Sequence, residues 1–263
     1  MDIIVMIKQV PDTTDIEIDP KTGNLIRSGI EGIINPYDLN AIEASLEIKE
    51  RIGGSVTVIS MGPPQAIDAI TEAIGMGVNR GILLTDRAFA GADTLATSFT
   101  LGKAVEKLGS YDLILCGYQA IDGDTAQVGP QLAEYLNIPQ ITSVTKIEKV
   151  TENSIIAIRS VEDGYERVFS QLPALLTVKR ELNRPRFVRV DRLLSACEEK
   201  APIDIWNAAD IGVKAFQVGM RGSMTEVIDV FTPKFKRKGK ILKGSSKDVV
   251  DKLLSELKEN NLI

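Results

Sequence analysis

The stretch Gln119-Ala120-Ile121-Asp122-Gly123-Asp124-Thr125-Ala126-Gln127-Val128-Gly129 holds glycine, short carboxylates and a hydroxyl, residue types that can shape a backbone around an anion. It follows an apolar run over residues 111–117 that reads as a buried strand. It precedes a helical pattern through Leu132, Ala133 and Leu136. Ligands of open α/β sheets bind at such strand-to-helix loops. The N–H groups and positive dipole end of a helix start suit a phosphate. The same residues also fit an ordinary capped turn, because Asp122, Asp124 and Thr125 are types that begin helices. Aspartates beside a phosphate would have to face ribose hydroxyls or cap backbone N–H groups. Thr125, Gln127 and the backbone would then meet the anion.

Three other stretches fall near the same sheet edge: Lys8-Gln9-Val10-Pro11-Asp12 after the first strand, Ile34-Asn35-Pro36-Tyr37-Asp38, and Ser60-Met61-Gly62-Pro63 after the second strand. Taken singly, the first reads equally as a solvated turn. Asn35 reads as the cap of a helix whose first residue is Pro36. Their convergence with the main loop describes a ligand cleft more specifically than any one of them. Neither a G-x-G-x-x-G fingerprint nor a G-x-x-x-x-G-K-[ST] phosphate loop is present.

The chain has no histidine and two cysteines, Cys116 and Cys197. Ser/His/Asp and Cys/His catalytic units are therefore excluded. Histidine-based metal sites are excluded too, and a thiolate site is not expected. Redox or hydride chemistry would need a cofactor. We expect no catalytic side chain and no metal. A net charge of −5 argues against nucleic-acid binding by the chain as a whole. No apolar stretch reaches the length of a membrane span, and the cysteine usage fits a reducing cytoplasm or an organelle matrix.

The elements that must position these stretches alternate strand and helix. Ile3-Ile4-Val5-Met6-Ile7 is a doubly covered strand. Residues 36–51 read as a helix with Leu39, Ile42, Ala44, Leu46 and Ile48 on its apolar face, ended by Gly53-Gly54. Strands at 56–59 and 81–84, a helix through Ile67, Ile70 and Ile74, and a helix capped at Asp93-Thr94 and running to Leu108 continue the pattern. Such alternation predicts a parallel sheet with helices on both faces. Residues 154–161 and 165–169 flank Asp163-Gly164, a hairpin signal. Leu175-Leu176-Thr177-Val178 is a further strand. The fold class is α/β: an open, mostly parallel doubly wound sheet extended by antiparallel strands.

Beyond Arg180 the regularity fades. Residues 183–192 and 234–240 are basic. The second run reads as a solvated face. The chain ends in an amphipathic helix bearing Val249, Val250, Leu253, Leu254 and Leu257, with Ser245 and Asp248 as a capping-box variant. Such a tail suggests docking on another surface.

Together the quoted stretches, with Leu172-Pro173-Ala174-Leu175-Leu176-Thr177-Val178 and Asn183-Arg184-Pro185-Arg186-Phe187, resemble the β subunit of electron transfer flavoproteins over essentially the whole chain. The resemblance implies a heterodimer with a larger α subunit that carries one FAD. It implies an adenine nucleotide on this chain, AMP in simple members and a second FAD in electron-bifurcating members. The nucleotide would touch Met6, Asn35, Pro36, Tyr37, Asp38, Met61 and the loop Ala120, Ile121, Asp122, Gly123, Asp124, Thr125, Ala126, Gln127, Val128, Gly129, Pro130 and Gln131. This loop looks like that of the bifurcating group, with Gly123 and Gly129 leaving room for a pyrophosphate. Glu162, otherwise a solvated charge at a hairpin tip, resembles that group's residue near the NADH approach. NADH would be the hydride donor. Ferredoxin and a flavin-containing dehydrogenase, acyl-CoA dehydrogenase-like or other, would receive the electrons. The resemblance divides the chain into a nucleotide-binding domain (1–182), a recognition loop (183–207) docking on the dehydrogenase through Val190, Leu193 and Leu194, and a partner-wrapping arm (208–263). A simple AMP-binding electron transfer subunit and a non-redox nucleotide sensor are the alternatives.

Overall fold

The computed structural model describes residues 1–12, 32–197, 201–228 and 239–263. The chain divides into two compact units, Met1–Val227 and Ile228–Ile263.

The first unit is built on a nine-stranded sheet. Its strands are β1 (Asp2–Ile7), β4 (Ser55–Met61), β5 (Arg80–Leu84), β6 (Leu113–Gly117), β7 (Gln140–Val150), β8 (Ser154–Val161), β9 (Gly164–Gln171), β10 (Ala174–Val178) and β11 (Ile203–Trp206). Their spatial order is β11-β5-β4-β1-β6-β10-β7-β8-β9. Pairings from β11 to β7 are parallel, and β7/β8 and β8/β9 are antiparallel. Two short strands, β2 (Gln9–Pro11) and β3 (Gly32–Ile34), pair antiparallel beside it.

The helices are α1 (Pro36–Ile52), α2 (Ile67–Met76), α3 (Thr94–Leu108), α4 (Val128–Tyr135), α5 (Val190–Ala196), α6 (Gly219–Gly222) and, in the second unit, α7 (Ser246–Glu259). Strand side chains alternate between faces. Ile3, Val5 and Ile7 of β1 therefore join Ile42, Leu46 and Ile70 of α1 and α2 in one core. Ile4 and Met6 join Leu101, Val105 and Leu132 of α3 and α4 in the other. Burial on both faces explains the unbroken apolar run of β1. Asp93 caps α3, accepting from the Ala96 N–H at 2.9 Å. Its other oxygen accepts from the Met224 and Thr225 N–H groups, holding the end of this unit.

The short β2/β3 pair and two strands of the main sheet were not expected from the sequence. In β7 the inward residues Ile141, Val144 and Ile147 recur every third position, so no period-two pattern is visible. Register shifts between Val144 and Lys146 and between Ile147 and Lys149 produce that spacing. Ile203–Trp206 is an edge strand pairing with β5, not part of an irregular loop. Residues 183–227, expected as a recognition loop and the start of an arm, fold within the first unit.

In the second unit α7 begins at the expected capping box of Ser245 and Asp248. Val250, Leu253 and Leu254 are exposed along it. Residues 234–238 of the second basic run lie outside the described residues. No described helix is long and apolar enough to cross a membrane.

Candidate functional site

From β1 the chain steps outward to β4 and β5, then returns to the opposite side of β1 as β6. That reversal makes the carboxyl ends of β1 and β6 the topological switch point, where a crevice opens in sheets of this kind. The stretches singled out in the sequence meet there.

Asp38, in the first turn of α1, ties the two strand ends together. One carboxylate oxygen accepts from the Lys8 N–H at 2.8 Å and the other from the Gly117 N–H at 3.0 Å. The approach is possible because residue 117 is glycine: a Cβ there would lie 2.3 Å from Asp38 Oδ1 and 2.6 Å from Tyr37 Cβ. Burial pushes the Asp38 carboxyl up to about 7, against the pull of its hydrogen bonds and of the Lys8 charge.

Asn35 occupies the N-cap position of α1, with Pro36 following, but its side chain makes no cap bond. It spans instead to the main loop. Nδ2 donates to the Gln119 carbonyl at 2.9 Å, and Oδ1 accepts from the Ile121 N–H at 3.1 Å. The expected helix cap is therefore a loop clamp.

The loop aspartates are not helix caps either. Asp122 pairs with Lys8 Nζ at 2.7 Å, and Asp124 accepts from Gln119 Nε2 at 2.6 Å. The N-cap of α4 is Gln127, again without a side-chain cap bond, and among the described residues no side chain accepts from the Val128 or Gly129 N–H. Asp124 and Ala126 both have positive φ, 47° and 53°. Non-glycine residues in that region are strained, and such strain gathers at ligand sites. The backbone changes hand between Ala126 and Gln127, whose φ is −105°.

The two loop glycines differ. Gly123 has open space where a Cβ would stand. At Gly129 a Cβ would lie 2.6 Å from Thr177 Cγ2 and 2.8 Å from Cys116 Sγ. The expectation that Gly129 leaves room for a ligand is corrected: its room is taken by the seating of α4 on β6 and β10. Cys116 is a buried thiol that burial holds well above its ordinary range.

Met6 is buried in the α3/α4 core, and Met61 packs against the same core at the end of β4. Ser60, beside Ile7 in the sheet register, is fully buried. Its hydroxyl and the Oε1 of Gln131 are buried with no hydrogen-bond partner among the described residues. Pro130 and Gln131 follow Gly129 in the first turn of α4. Thr125 is exposed, whereas Ala120 and Ile121 are half-buried.

The stretch beginning at Lys8 is expected at the cleft, but its pairing with Asp122 is not; the signal for it is a lysine directly after the first strand and an acidic main loop. Tyr118 was also missed. Its ring meets Tyr37 edge-on at 6.0 Å, with Lys179 over it at 5.3 Å.

The remaining expected residues lie elsewhere. Glu162 is exposed in the turn between β8 and β9, on the antiparallel extension. Val190 and Leu194 are exposed on α5. Leu193 is turned inward, packing over Gly75 of α2, so it serves as an anchor of α5 within the unit.

Residues 22–211 match the family described as the electron transfer flavoprotein domain. The chain is 49% identical over 263 residues, all of both sequences, to electron transfer flavoprotein subunit beta of Thermoanaerobacterium thermosaccharolyticum. It is 48% identical over 265 residues, again all of both, to caffeyl-CoA reductase-Etf complex subunit CarD of Acetobacterium woodii. It is 44% identical over 240 residues, 89% of this chain and 84% of the other, to protein FixA of Sinorhizobium fredii. With the matched family, the full-length similarity and the mostly parallel sheet together, the chain belongs to the electron transfer flavoprotein family, on its β-subunit side.

Proposed function

We propose that the chain works as the β subunit of a flavin-based electron-bifurcating electron transfer flavoprotein. It pairs with a larger α subunit that carries one FAD, and it holds a second FAD at the carboxyl edge of its parallel sheet. NADH is the hydride donor. Ferredoxin and a flavin-containing dehydrogenase are the two destinations of the electrons. The similarity to a protein named as part of a caffeyl-CoA reductase-Etf complex supports this setting.

The observation that carries the reading is the loop before α4. Its helix start has no cap bond from Gln127, and Gly123 is exposed with open space where a Cβ would stand. The residues present fit a dinucleotide. Free N–H groups at α4 suit one phosphate, and the open side of Gly123 gives space for a second. The Gln131 side-chain carbonyl, in the first turn of α4 and without a hydrogen-bond partner among the described residues, is a polar atom that a group bound there would satisfy.

The flavin, when bound, supplies the hydride and electron chemistry. The chain's own residues bind and orient it. Lys8 neutralises Asp122, so an acidic loop can face an anion. Asn35 fixes the loop to α1, and Asp38 fixes α1 to the strand ends. Glu162 borders the approach of NADH. Phe187, Val190 and Leu194 give the dehydrogenase an apolar contact.

The test is coupling in the reconstituted αβ complex with NADH, ferredoxin and the dehydrogenase. Reduction of ferredoxin by NADH should require the dehydrogenase and its acceptor, and the two reductions should stay in fixed ratio. NADH oxidation at full rate with ferredoxin omitted would overturn bifurcation.

A further inference from the structure

Residues 180–189 form a strap laid along α1, held at three points. The Arg180 guanidinium sits over the Tyr37 ring at 5.0 Å. Asn40 Nδ2 donates to Asn183 Oδ1 at 2.8 Å and to its carbonyl at 3.0 Å, and Asn183 Nδ2 donates back to the Asn40 carbonyl at 3.0 Å. Arg186 Nε and Nη2 donate to Glu43 at 2.9 Å and 3.0 Å, and Nη1 donates to Glu50 at 2.5 Å. The Arg186 backbone N–H also donates to Glu43, at 3.0 Å. Tyr37, Asn40 and Glu43 recur at three-residue spacing, which aligns them along one side of a helix. Their partners on the strap recur at the same spacing.

Past Arg186 the strap is pinned a fourth time. The Arg189 N–H donates to the Gly75 carbonyl at 3.1 Å. Val188 Cγ1 lies 2.5 Å from where a Gly75 Cβ would stand, so only glycine admits it. Between and after these pins, Phe187, Val190 and Leu194 face outward, 95%, 70% and 64% exposed. Glu43 is 5% exposed, and a carboxylate so buried needs its cation. The planar guanidinium spans both carboxylates, which a lysine ammonium cannot do in the same way.

We infer that Arg186 is a positioning residue for docking: through Glu43 and Glu50 it fixes residues 187–194 before the partner arrives, without touching the partner itself. The inference rests on the reading above that this segment docks on a flavin-containing dehydrogenase. A segment ordered in advance loses less freedom on binding, so its effect appears in affinity and not in turnover.

The experiment varies the dehydrogenase concentration against the αβ complex and reads KM and kcat separately. Arg186→Lys should raise the KM for the dehydrogenase about tenfold, with kcat at saturation and bound flavin as in the wild type. Glu50→Gln removes the exposed arm of the fork without leaving a buried charge, and should raise KM by a smaller factor. Leu194→Asp serves as the docking control. If Leu194→Asp raises KM while both fork variants leave it unchanged, the positioning role is overturned and the docking reading stands. If the fork variants lower kcat and leave KM unchanged, the positioning role is likewise overturned. If Leu194→Asp leaves KM unchanged, the docking reading itself fails.

Discussion

Asn35 Oδ1 accepts from the Ile121 N–H across 86 residues of chain, joining the start of α1 to the loop before α4. The same amide donates to the Gln119 carbonyl, so one side chain satisfies a donor and an acceptor of one loop. Asn35 is itself 1% exposed, and its partners Gln119 and Ile121 are half-buried. An amide carries a donor and an acceptor in one planar group, which is what this contact uses.

Asn35→Ala should therefore destabilise the fold by about 1–3 kcal/mol and lower retention of the bound nucleotide. Asn35→Asp should rescue it only while the new carboxyl is protonated, since a carboxylate would accept from Ile121 but face the Gln119 carbonyl with a second acceptor. Denaturant unfolding and nucleotide content after gel filtration check both. An alanine variant matching the wild type in both would remove Asn35 from the site's framework.

Asp38 gives a pH signature. Burial raises its folded-state carboxyl to about 7, above the ordinary aspartate range. The folded state then holds the proton more tightly than the unfolded chain. This stabilising contribution is fully present below the unfolded pKa of about 4 and is lost as pH rises through about 7, with a slope of up to about 1.4 kcal/mol per pH unit. Unfolding free energies between pH 4 and 8 should show this fall in the wild type. Asp38→Asn should lose the slope while lowering stability throughout, because its amide would turn an NH2 group toward the N–H of Lys8 or Gly117. Parallel curves for the two proteins would contradict the assignment.

The two loop glycines should separate folding from binding. Gly129→Ala places a methyl against Thr177 and Cys116 and should cost about 1–3 kcal/mol by overpacking. Gly123→Ala meets nothing in the protein and should change stability by less than about 0.5 kcal/mol. Its effect should fall on the nucleotide, with FAD retained less well than AMP. Thermal unfolding and released-nucleotide analysis distinguish them. Equal loss of stability in both variants would contradict the separation.

The parallel half of the fold was legible because apolar runs such as residues 3–7 and 56–59 and their intervening helices carry their periods openly. The capping box at Ser245 and the cap at Asp93 were legible because a cap and its partner lie within three residues. The β7 strand was hidden by two register shifts that break its alternation. The site's residues could be gathered from the loop chemistry, but not their roles. Asn35 reads locally as a cap, and only the fold brings Gln119 and Ile121 within its reach. Gly129 reads locally as part of a ligand loop, and only the sheet puts Thr177 and Cys116 under it. The strap of residues 180–189 was read as irregular because its partners sit about 140 positions earlier on α1.

The central claim is that the loop before α4 holds a flavin dinucleotide. Its most direct test is to denature the purified αβ complex, separate the released ligands and count FAD and AMP per dimer. Two FAD per dimer, falling to one in Gly123→Ala, is the predicted result. One FAD and one AMP per dimer would contradict it.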